Sequence, residues 1–231
     1  VLVATIKAIK YHGGIEKEKI QEENIEGLEK GMDNLYRHIE NLKNKFGLNV
    51  IVALNRYESD TEKEIEWLKN KLEEKNITLS LVEGWAKGGE GAIDIANKLI
   101  ELVTKKENFQ MMYEDSDTIK EKILKVATKI YGATDAKYSK EALENIEKIE
   151  KLGYGNLPVC IAKTQYSFSD DPKNLEAKND YEITVRDVEL KAGAGFVVVL
   201  AGKIMTMPGL PKVPAAESID IDENGNIIGI F

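Results

Sequence analysis

Two aromatic side chains, each following a predicted strand, are the residues best placed for chemistry in this sequence. The apolar runs at residues 49–54 and 77–82 predict buried strands, and Tyr57 and Trp85 come shortly after them. A helix-length segment separates the strands, which favours a parallel pair joined by a right-handed crossover. Open α/β sheets bind ligands at the carboxyl ends of their strands. The two rings could clamp a flat heterocycle in one crevice, or both could pack against neighbouring helices.

A glycine-rich segment beside Trp85 reads Lys87-Gly88-Gly89-Glu90-Gly91 and precedes a predicted helix. Free backbone amides at a helix N-terminus, together with a lysine, favour an anion. The segment is not a Walker A loop, because the Gly-Lys-Ser/Thr ending is absent. Two interpretations stay open. Either Lys87, Gly88 and Gly89 bind an anion, or the glycines only permit a tight turn, which residue type favours.

The other polar groups give weaker signals. Asp170 and Asp171, in the polar loop at residues 163–172, could hold a metal or another cation, although composition favours a turn or helix cap. His12 and His38 have no partner at the spacing of a zinc site or a catalytic triad. We therefore predict no resident metal site, and the sequence identifies no catalytic residue.

Composition argues against several classes of protein. The net charge of −8 disfavours non-specific nucleic-acid binding, which needs a basic surface. No apolar run approaches the roughly 18 residues of a membrane span, and the start does not read as a signal peptide. The single cysteine, Cys160, rules out an internal disulfide and suits a reducing compartment. We expect a cytoplasmic protein without nucleic-acid or membrane partners, in which Cys160 is a core residue rather than a nucleophile.

The start of the chain is unusual for a domain. Residues 1–5 predict a short buried strand, and there is no initiator methionine. We therefore expect a fragment of a longer protein, with a processed or cloned N-terminus as the alternative.

Hydrophobic periodicity predicts the remaining elements. Apolar residues three and four positions apart indicate helices, and β-branched or alternating runs indicate strands. The helix at residues 92–103 is apolar nearly all round, which predicts deep burial. An Asn-Gly pair at residues 224–225 predicts a hairpin turn. Further helices are predicted at residues 28–46, 61–72, 119–130 and 143–152, and further strands at residues 157–162, 181–190 and 196–200.

These elements predict an α/β chain in two parts. Residues 1–155 are expected to form parallel-sheet units together with a helical pair, and residues 156–231 a smaller, strand-rich lobe. Thr61 and Glu64 fit a capping box at the helix between the strands at residues 49–54 and 77–82, and Asp60 offers a second cap. Residues 205–214 are rich in proline and predict a stiff loop.

Long stretches of the chain closely resemble the C-terminal part of formate–tetrahydrofolate ligase, also called formyltetrahydrofolate synthetase. They extend from the first residue to the last hairpin, so the resemblance is far more specific than a single glycine motif. The stretches are VLVATIKAIKYHGG, NRYESDTEKEI, WAKGGEGAIDIA, ATKIYGA, LGYGNLPVCIAKTQYSFSDDP, TVRDVELKAGAGF and IMTMPGLPKVPAAESIDID.

The resemblance assigns roles to three residues. It implies that Trp85, in WAKGGEG, stacks on the pterin side of folate, and that the opposing aromatic is Tyr57. Many family members have phenylalanine there, so the additional hydroxyl must reach water or a polar group. The resemblance also implies that Leu81 lines the same pocket.

The resemblance implies a reaction and its participants as well. The family joins formate to tetrahydrofolate: ATP converts formate to formyl phosphate, and N10 of tetrahydrofolate attacks the formyl carbon. Magnesium accompanies ATP, K⁺ or NH₄⁺ activates many members, and the enzymes are typically homotetramers. The implied fold has P-loop-NTPase-like parallel-sheet units, and this chain lacks the N-terminal half that carries the Walker A loop. The fragment alone is therefore expected to be inactive.

Two alternatives to a catalytic fragment stay open. The chain could be a stand-alone folate-binding protein, or a partner subunit without catalysis of its own. It could also be the synthetase portion of a larger multifunctional folate enzyme.

Overall fold

A computed structural model describes residues 1–204 and 213–229. Most of the proline-rich loop predicted at residues 205–214 lies outside the described residues. The helices are α1 (Ile6–His12), α2 (Ile25–Glu40), α3 (Glu62–Glu73), α4 (Gly84–Lys87), α5 (Ile93–Val103), α6 (Ile119–Val126) and α7 (Lys140–Lys151). The strands are β1 (Leu2–Ala4), β2 (Ile51–Asn55), β3 (Thr78–Val82), β4 (Asp135–Tyr138), β5 (Val159–Ala162), β6 (Glu182–Lys191), β7 (Phe196–Ala201), β8 (Asp220–Ile221) and β9 (Ile227–Ile228).

The first sheet consists of three parallel strands in the order β1-β2-β3. Asn55 pairs with Val82, so β2 and β3 end side by side, and the predicted parallel arrangement is confirmed. The central strand β2 is a run of apolar residues that are buried on both faces. The surrounding core includes residues from the first three helices: Ile6, Ile9, Leu28, Met32, Leu35, Ile39, Ile65, Leu68 and Leu72.

The edge strand β1 is less buried than its sequence predicted. Ala4 is buried, but Val1 and Val3 are exposed. Alternate residues of a strand point to opposite faces, and the face that carries Val3 has no cover among the described residues.

Helix α3 begins as the sequence predicted. The Thr61 hydroxyl accepts a hydrogen bond from the Glu64 N–H at 3.2 Å, and the Glu64 carboxylate accepts one from the Thr61 N–H at 3.3 Å. Glu64 also forms a buried ion pair with Lys10 at 2.9 Å, which ties α3 to α1. The expectation that Asp60 caps this helix is wrong, because its carboxylate instead accepts the N–H of Tyr57 at 2.8 Å.

The prediction that residues 92–103 are deeply buried is also wrong. None of the residues of α5, all of which the structure describes, is buried, and Ile93, Ile100 and Val103 are exposed. The helix lies against β3, an edge strand, to which it is tied by a 2.6 Å hydrogen bond between Ser80 and Asp94. An apolar composition on all sides does not determine how many neighbouring elements cover a helix.

The second sheet has the strand order β4-β6-β7-β5. The pairs β4–β6 and β5–β7 are parallel, whereas β6 and β7 are antiparallel. Its core includes residues of α6 and α7, so these helices pack with this sheet rather than with the first sheet, where the sequence analysis grouped them. The division of the chain at residue 155 stays a prediction. Cys160 lies exposed on β5, so the prediction of a core cysteine is wrong.

Polar residues of α2 and of the turn that follows it connect the two cores. Asn34 and Arg37 in α2, and Asn41 just after its last residue, are three and four positions apart, and each donates to backbone carbonyls of the second part of the chain. The acceptors are Leu175 at 2.8 Å from Asn34, Ala177 at 2.9 Å and Tyr131 at 3.1 Å from Arg37, and Ile130 at 2.8 Å from Asn41. A face that resembles a solvated surface in the sequence therefore forms an internal contact, which we call the α2 seam.

The predicted hairpin is confirmed in the described residues. Strands β8 and β9 pair in antiparallel fashion, and Gly225 in the turn has a φ of 84°, a value that favours glycine. Across the described residues, every helix falls short of the length and apolar character that crossing a membrane requires.

Candidate functional site

Tyr57 and Trp85 border one open cavity at the carboxyl ends of β2 and β3. The cavity has a volume of about 410 Å³ and is lined by Arg56, Tyr57, Glu58, Glu83, Trp85 and Ala86. We call it the stacking cavity. The side chain of Trp85 is 85% exposed and that of Tyr57 is 44% exposed, so large apolar surfaces face solvent. Neither residue is the buried packing residue that the alternative interpretation required.

A tight turn holds Tyr57 in place. The Tyr57 N–H donates to the Asp60 carboxylate, and the Asp60 N–H donates to the Tyr57 carbonyl at 3.0 Å. Asp60 is buried, and burial raises the pKa of its carboxyl above the ordinary value while the hydrogen bond from Tyr57 opposes that rise. The turn therefore fixes the backbone from which the aromatic ring projects.

Charged side chains from several elements surround the stacking cavity. The Lys7 ammonium of α1 lies over the Tyr57 ring, 4.4 Å from its centroid, which is the geometry of a cation–π contact. Arg56 pairs with Glu62 at 2.5 Å and with Glu83 at 3.3 Å. The cavity thus combines aromatic faces with a polar rim, the usual composition of a small-molecule site.

Trp85 is carried by the one-turn helix α4, where the sequence predicted a loop. The Glu83 N–H donates to the Gly91 carbonyl at 3.0 Å, which closes residues 83–91 into a compact turn. A Cβ on Gly91 would lie 2.5 Å from the backbone carbonyl of Glu83, a distance that real side chains do not reach. Gly88 has a φ of 58°. The glycines of this segment therefore have a structural role in the turn.

The other four residues of the predicted site have no demonstrated contact with the stacking cavity. The Lys87 ammonium pairs with Glu83 at 2.5 Å, and this hydrogen bond is the largest cause of the lowered pKa of Glu83. Gly88 and Gly89 lie in a short 3₁₀ segment just after Lys87. Leu81 packs against the core of the first sheet and is not among the residues that line the stacking cavity. The anion-binding role of Lys87, Gly88 and Gly89 and the pocket role of Leu81 stay predictions.

The acidic residues of the loop at 163–172 have backbone partners. Asp171 accepts the Lys173 N–H at 2.9 Å, as expected for a turn residue, whereas Asp170 accepts the N–H of Thr184 on β6 at 2.8 Å, a contact between distant parts of the chain. Within residues 1–204 and 213–229, His, Cys, Asp and Glu side chains form no group of three or more that could hold a metal ion.

The charged residues around the aromatic pair do not stand out in the sequence. Lys7 and Arg56 belong to different elements from Trp85, and only the sheet register brings them to one edge. His12 and His38 are also far apart in the sequence, yet both line one cavity between the two cores. Both groups consist of residues far apart in the sequence, so no local pattern reveals them. Lys7 does lie just after the end of β1, as Tyr57 lies just after the end of β2.

Comparison with known proteins gives two findings. The family model described as formate--tetrahydrofolate ligase matches residues 1–231 of this chain. A curated protein of Symbiobacterium thermophilum, named formate--tetrahydrofolate ligase, is 50% identical over 231 residues. The match covers 100% of this chain and 42% of that relative, so the chain spans less than half the relative's length.

Proposed function

Because the chain belongs to the formate–tetrahydrofolate ligase family, we propose that it supplies the tetrahydrofolate-binding part of an enzyme that joins formate to tetrahydrofolate. The product would be 10-formyltetrahydrofolate, formed by a new C–N bond, with formyl phosphate as the activated form of formate. Membership of the family supports the proposed reaction. The stacking cavity supports the proposal that this part of the chain binds tetrahydrofolate.

The observation that supports folate binding is the exposed aromatic pair at the stacking cavity. Offset stacking on Tyr57 and Trp85 would remove both faces of a pterin ring from water. Lys7 holds the Tyr57 ring through its cation–π contact, and the Asp60 turn fixes the backbone below it. The Tyr57 side of the site would therefore be held in place before the ligand binds.

ATP, with Mg²⁺, would supply the phosphoryl group in the complete protein. The described residues do not fit a nucleotide site of the P-loop kind, because their glycine-rich turn lacks the Gly-Lys-Ser/Thr ending and its lysine is paired with Glu83. We therefore derive no step through ATP from this chain. We propose that the relative's additional length contains that site, and that the fragment alone is inactive.

Several finer properties follow from the family alone. We propose a P-loop-NTPase-like relationship for the parallel-sheet part, activation by K⁺ or NH₄⁺, a homotetrameric assembly and a cytoplasmic location. We also propose that Leu81 contributes to the folate pocket and that Lys87, Gly88 and Gly89 meet an anionic group. The last role requires Lys87 to leave its partner Glu83.

The test of folate binding is a fluorescence titration of the 231-residue chain with tetrahydrofolate. We expect quenching of Trp85 in the wild-type chain, and we expect Trp85→Ala, whose affinity is measured by titration calorimetry because the reporter is lost, to bind more than a few-fold more weakly. An aromatic stack contributes about 0.5–1.5 kcal/mol beyond the burial of its area. Binding with unchanged affinity in Trp85→Ala would refute the site.

The matched control is Trp67→Phe, on helix α3. Trp67 packs partly buried against the core of the first sheet, so its replacement should leave tetrahydrofolate affinity unchanged. A second assay measures formation of 10-formyltetrahydrofolate by this chain, alone and mixed with the part of a relative that the match does not cover. It distinguishes half of an enzyme from a stand-alone folate-binding protein. Restored synthesis supports the half-enzyme, whereas binding without restored synthesis favours a stand-alone folate-binding protein.

A further inference from the structure

A second cavity lies between the two cores, beside the α2 seam. It has a volume of about 280 Å³, and we call it the histidine cavity because both histidines of the chain line it. Its lining is His12, Asn34, His38, Tyr131, Lys163, Thr164, Gln165, Ser167 and Phe168. It shares no lining residue with the stacking cavity.

The histidines reach this cavity from different elements. His12 is the last residue of α1 and forms a hydrogen bond with the backbone of Tyr166, whereas His38 belongs to α2. The His38 ring lies against the Phe168 ring with their centroids 4.5 Å apart. These two contacts hold the imidazoles against the loop at residues 163–172, although His38 also reaches solvent.

Positive charge dominates the surroundings of the two rings. The Lys163 ammonium is held by the carbonyl oxygens of Thr164, at 3.1 Å, Ser169, at 3.1 Å, and Ser167. Arg37 lies over the Phe168 ring, 5.5 Å from its centroid. The lining contains no carboxylate, and Asp170, the acidic group that acts on Lys163, is turned to the Thr184 N–H.

His12 also borders a wider cleft whose charges are mixed. Its charged residues are Lys30, Asp33, Lys173, Glu176 and Lys178. Lys30 pairs with Glu26 at 2.7 Å, and Lys178 pairs with Glu176 at 2.5 Å. The wider cleft therefore has carboxylates in its lining, whereas the lining of the histidine cavity has none.

The geometry points to an oxyanion-binding site: we propose that the histidine cavity binds a phosphate group, with His12, His38 and Gln165 as its donors. The cavity, at about 280 Å³, has room for a phosphate group. Side-chain N–H and O–H groups of its lining can donate hydrogen bonds to several phosphate oxygens. The phosphate could be a free ion or the group of a phosphate monoester. This proposal is independent of folate binding.

The proposal makes a prediction about the protonation state of the histidines. Burial is the largest cause that lowers the pKa of His38, and the neighbouring charges of His12, Lys163 and Arg37 lower it further. Burial also lowers the pKa of His12, against its hydrogen bond to Tyr166, and lowers that of Lys163 to about 8. A bound anion would reverse this repulsion, because it favours imidazolium over neutral imidazole. Phosphate binding should therefore be coupled to proton uptake.

The test is an NMR titration of the imidazole signals of the 231-residue chain. The chain has two histidines, so two sets of signals report on the cavity directly. We expect phosphate at tens of millimolar to raise the pKa of at least one histidine by about half a pH unit relative to NaCl of equal ionic strength. Glycerol phosphate in place of phosphate distinguishes a monoester site from a free-ion site. Equal shifts in phosphate and NaCl would show screening only and overturn the proposal.

Gln165→Ala provides the local variant, since it removes a lining donor and keeps both reporting histidines. We expect it to weaken the phosphate-dependent shift several-fold. Gln110→Ala, an exposed glutamine away from the cavity, is the matched control and should leave the shift unchanged. A shift that is identical in Gln165→Ala and the wild-type chain would place the ion elsewhere and overturn the assignment.

Discussion

At the scale of single residues, the face of the Tyr57 ring rather than its hydroxyl should determine ligand affinity. Tyr57→Phe keeps the ring and its contact with Lys7, so tetrahydrofolate affinity should stay within about twofold. Tyr57→Leu removes the π-face, and the loss of about 0.5–1.5 kcal/mol predicts a two- to tenfold weaker affinity. Fluorescence titration through Trp85 measures both variants. A large loss in Tyr57→Phe would instead assign the binding to the hydroxyl.

The aromatic pair was predictable from the sequence, but its charged surroundings were not. Tyr57 and Trp85 follow strands with clear apolar runs, and their shared edge follows from a parallel pair. Lys7 meets Tyr57 because β1 pairs with β2 and α1 then begins at the same edge. That contact depends on sheet order, which no local pattern encodes.

At the scale of elements, the turn that carries Trp85 depends on one glycine. Gly91→Ala would place a Cβ 2.5 Å from the Glu83 backbone, so the turn must open and the hydrogen bond between these residues is strained. We expect a loss of about 1–3 kcal/mol in the free energy of unfolding, together with weaker tetrahydrofolate binding. Urea unfolding measures the first effect, as a lower midpoint at unchanged slope.

Gly89→Ala is the control for that experiment. Gly89 lies in the same segment, but an added Cβ would meet no atom within 4 Å. The substitution should be neutral or stabilise the chain by up to about 1 kcal/mol, because alanine restricts the unfolded state. Equal destabilisation by both variants would contradict the specific role of Gly91.

Local signals predicted elements better than they predicted burial. The capping box and the Asn-Gly hairpin are confirmed because their hydrogen bonds form within a few residues. Strand β4, with the sequence Asp-Ala-Lys-Tyr, was missed because its two charged residues leave no apolar run. Helix α5 was expected in the core, but periodicity measures composition and cannot show which elements cover a helix.

At the scale of the whole molecule, the contact between the two cores is polar and was not predictable. Asn34, Arg37 and Asn41 bind carbonyls that lie 89–141 residues away in sequence. Their helical spacing also fits a solvated face, so only the tertiary structure distinguishes the two. A seam made of hydrogen bonds beside the two histidines should respond to pH, since protonation adds positive charge next to Arg37 and Lys163.

Acidification should therefore lower the thermal stability of the chain between about pH 7 and pH 5.5. The folded-state pKa values of His12 and His38 lie below 6.5, so the unfolded chain binds more protons in this window. Stability then rises with pH through the window and falls as the histidines become protonated. Each kcal/mol lost lowers the melting temperature by about 2–4 °C for a chain of this size. Melting curves in a buffer without phosphate measure the effect.

The double variant His12→Gln/His38→Gln isolates this contribution. It removes both groups that titrate in the window, so its melting temperature should change less with pH than that of the wild-type chain, whatever its absolute value. Asp60 does not account for the expected loss of stability on acidification. Burial raises the pKa of its carboxyl, so its protonation favours the folded state as the pH falls. An equally steep decline in the double variant would exclude the histidines as its cause. Phosphate should flatten the wild-type decline, because an anion beside the rings stabilises the protonated folded state, and NaCl at equal ionic strength should flatten it less.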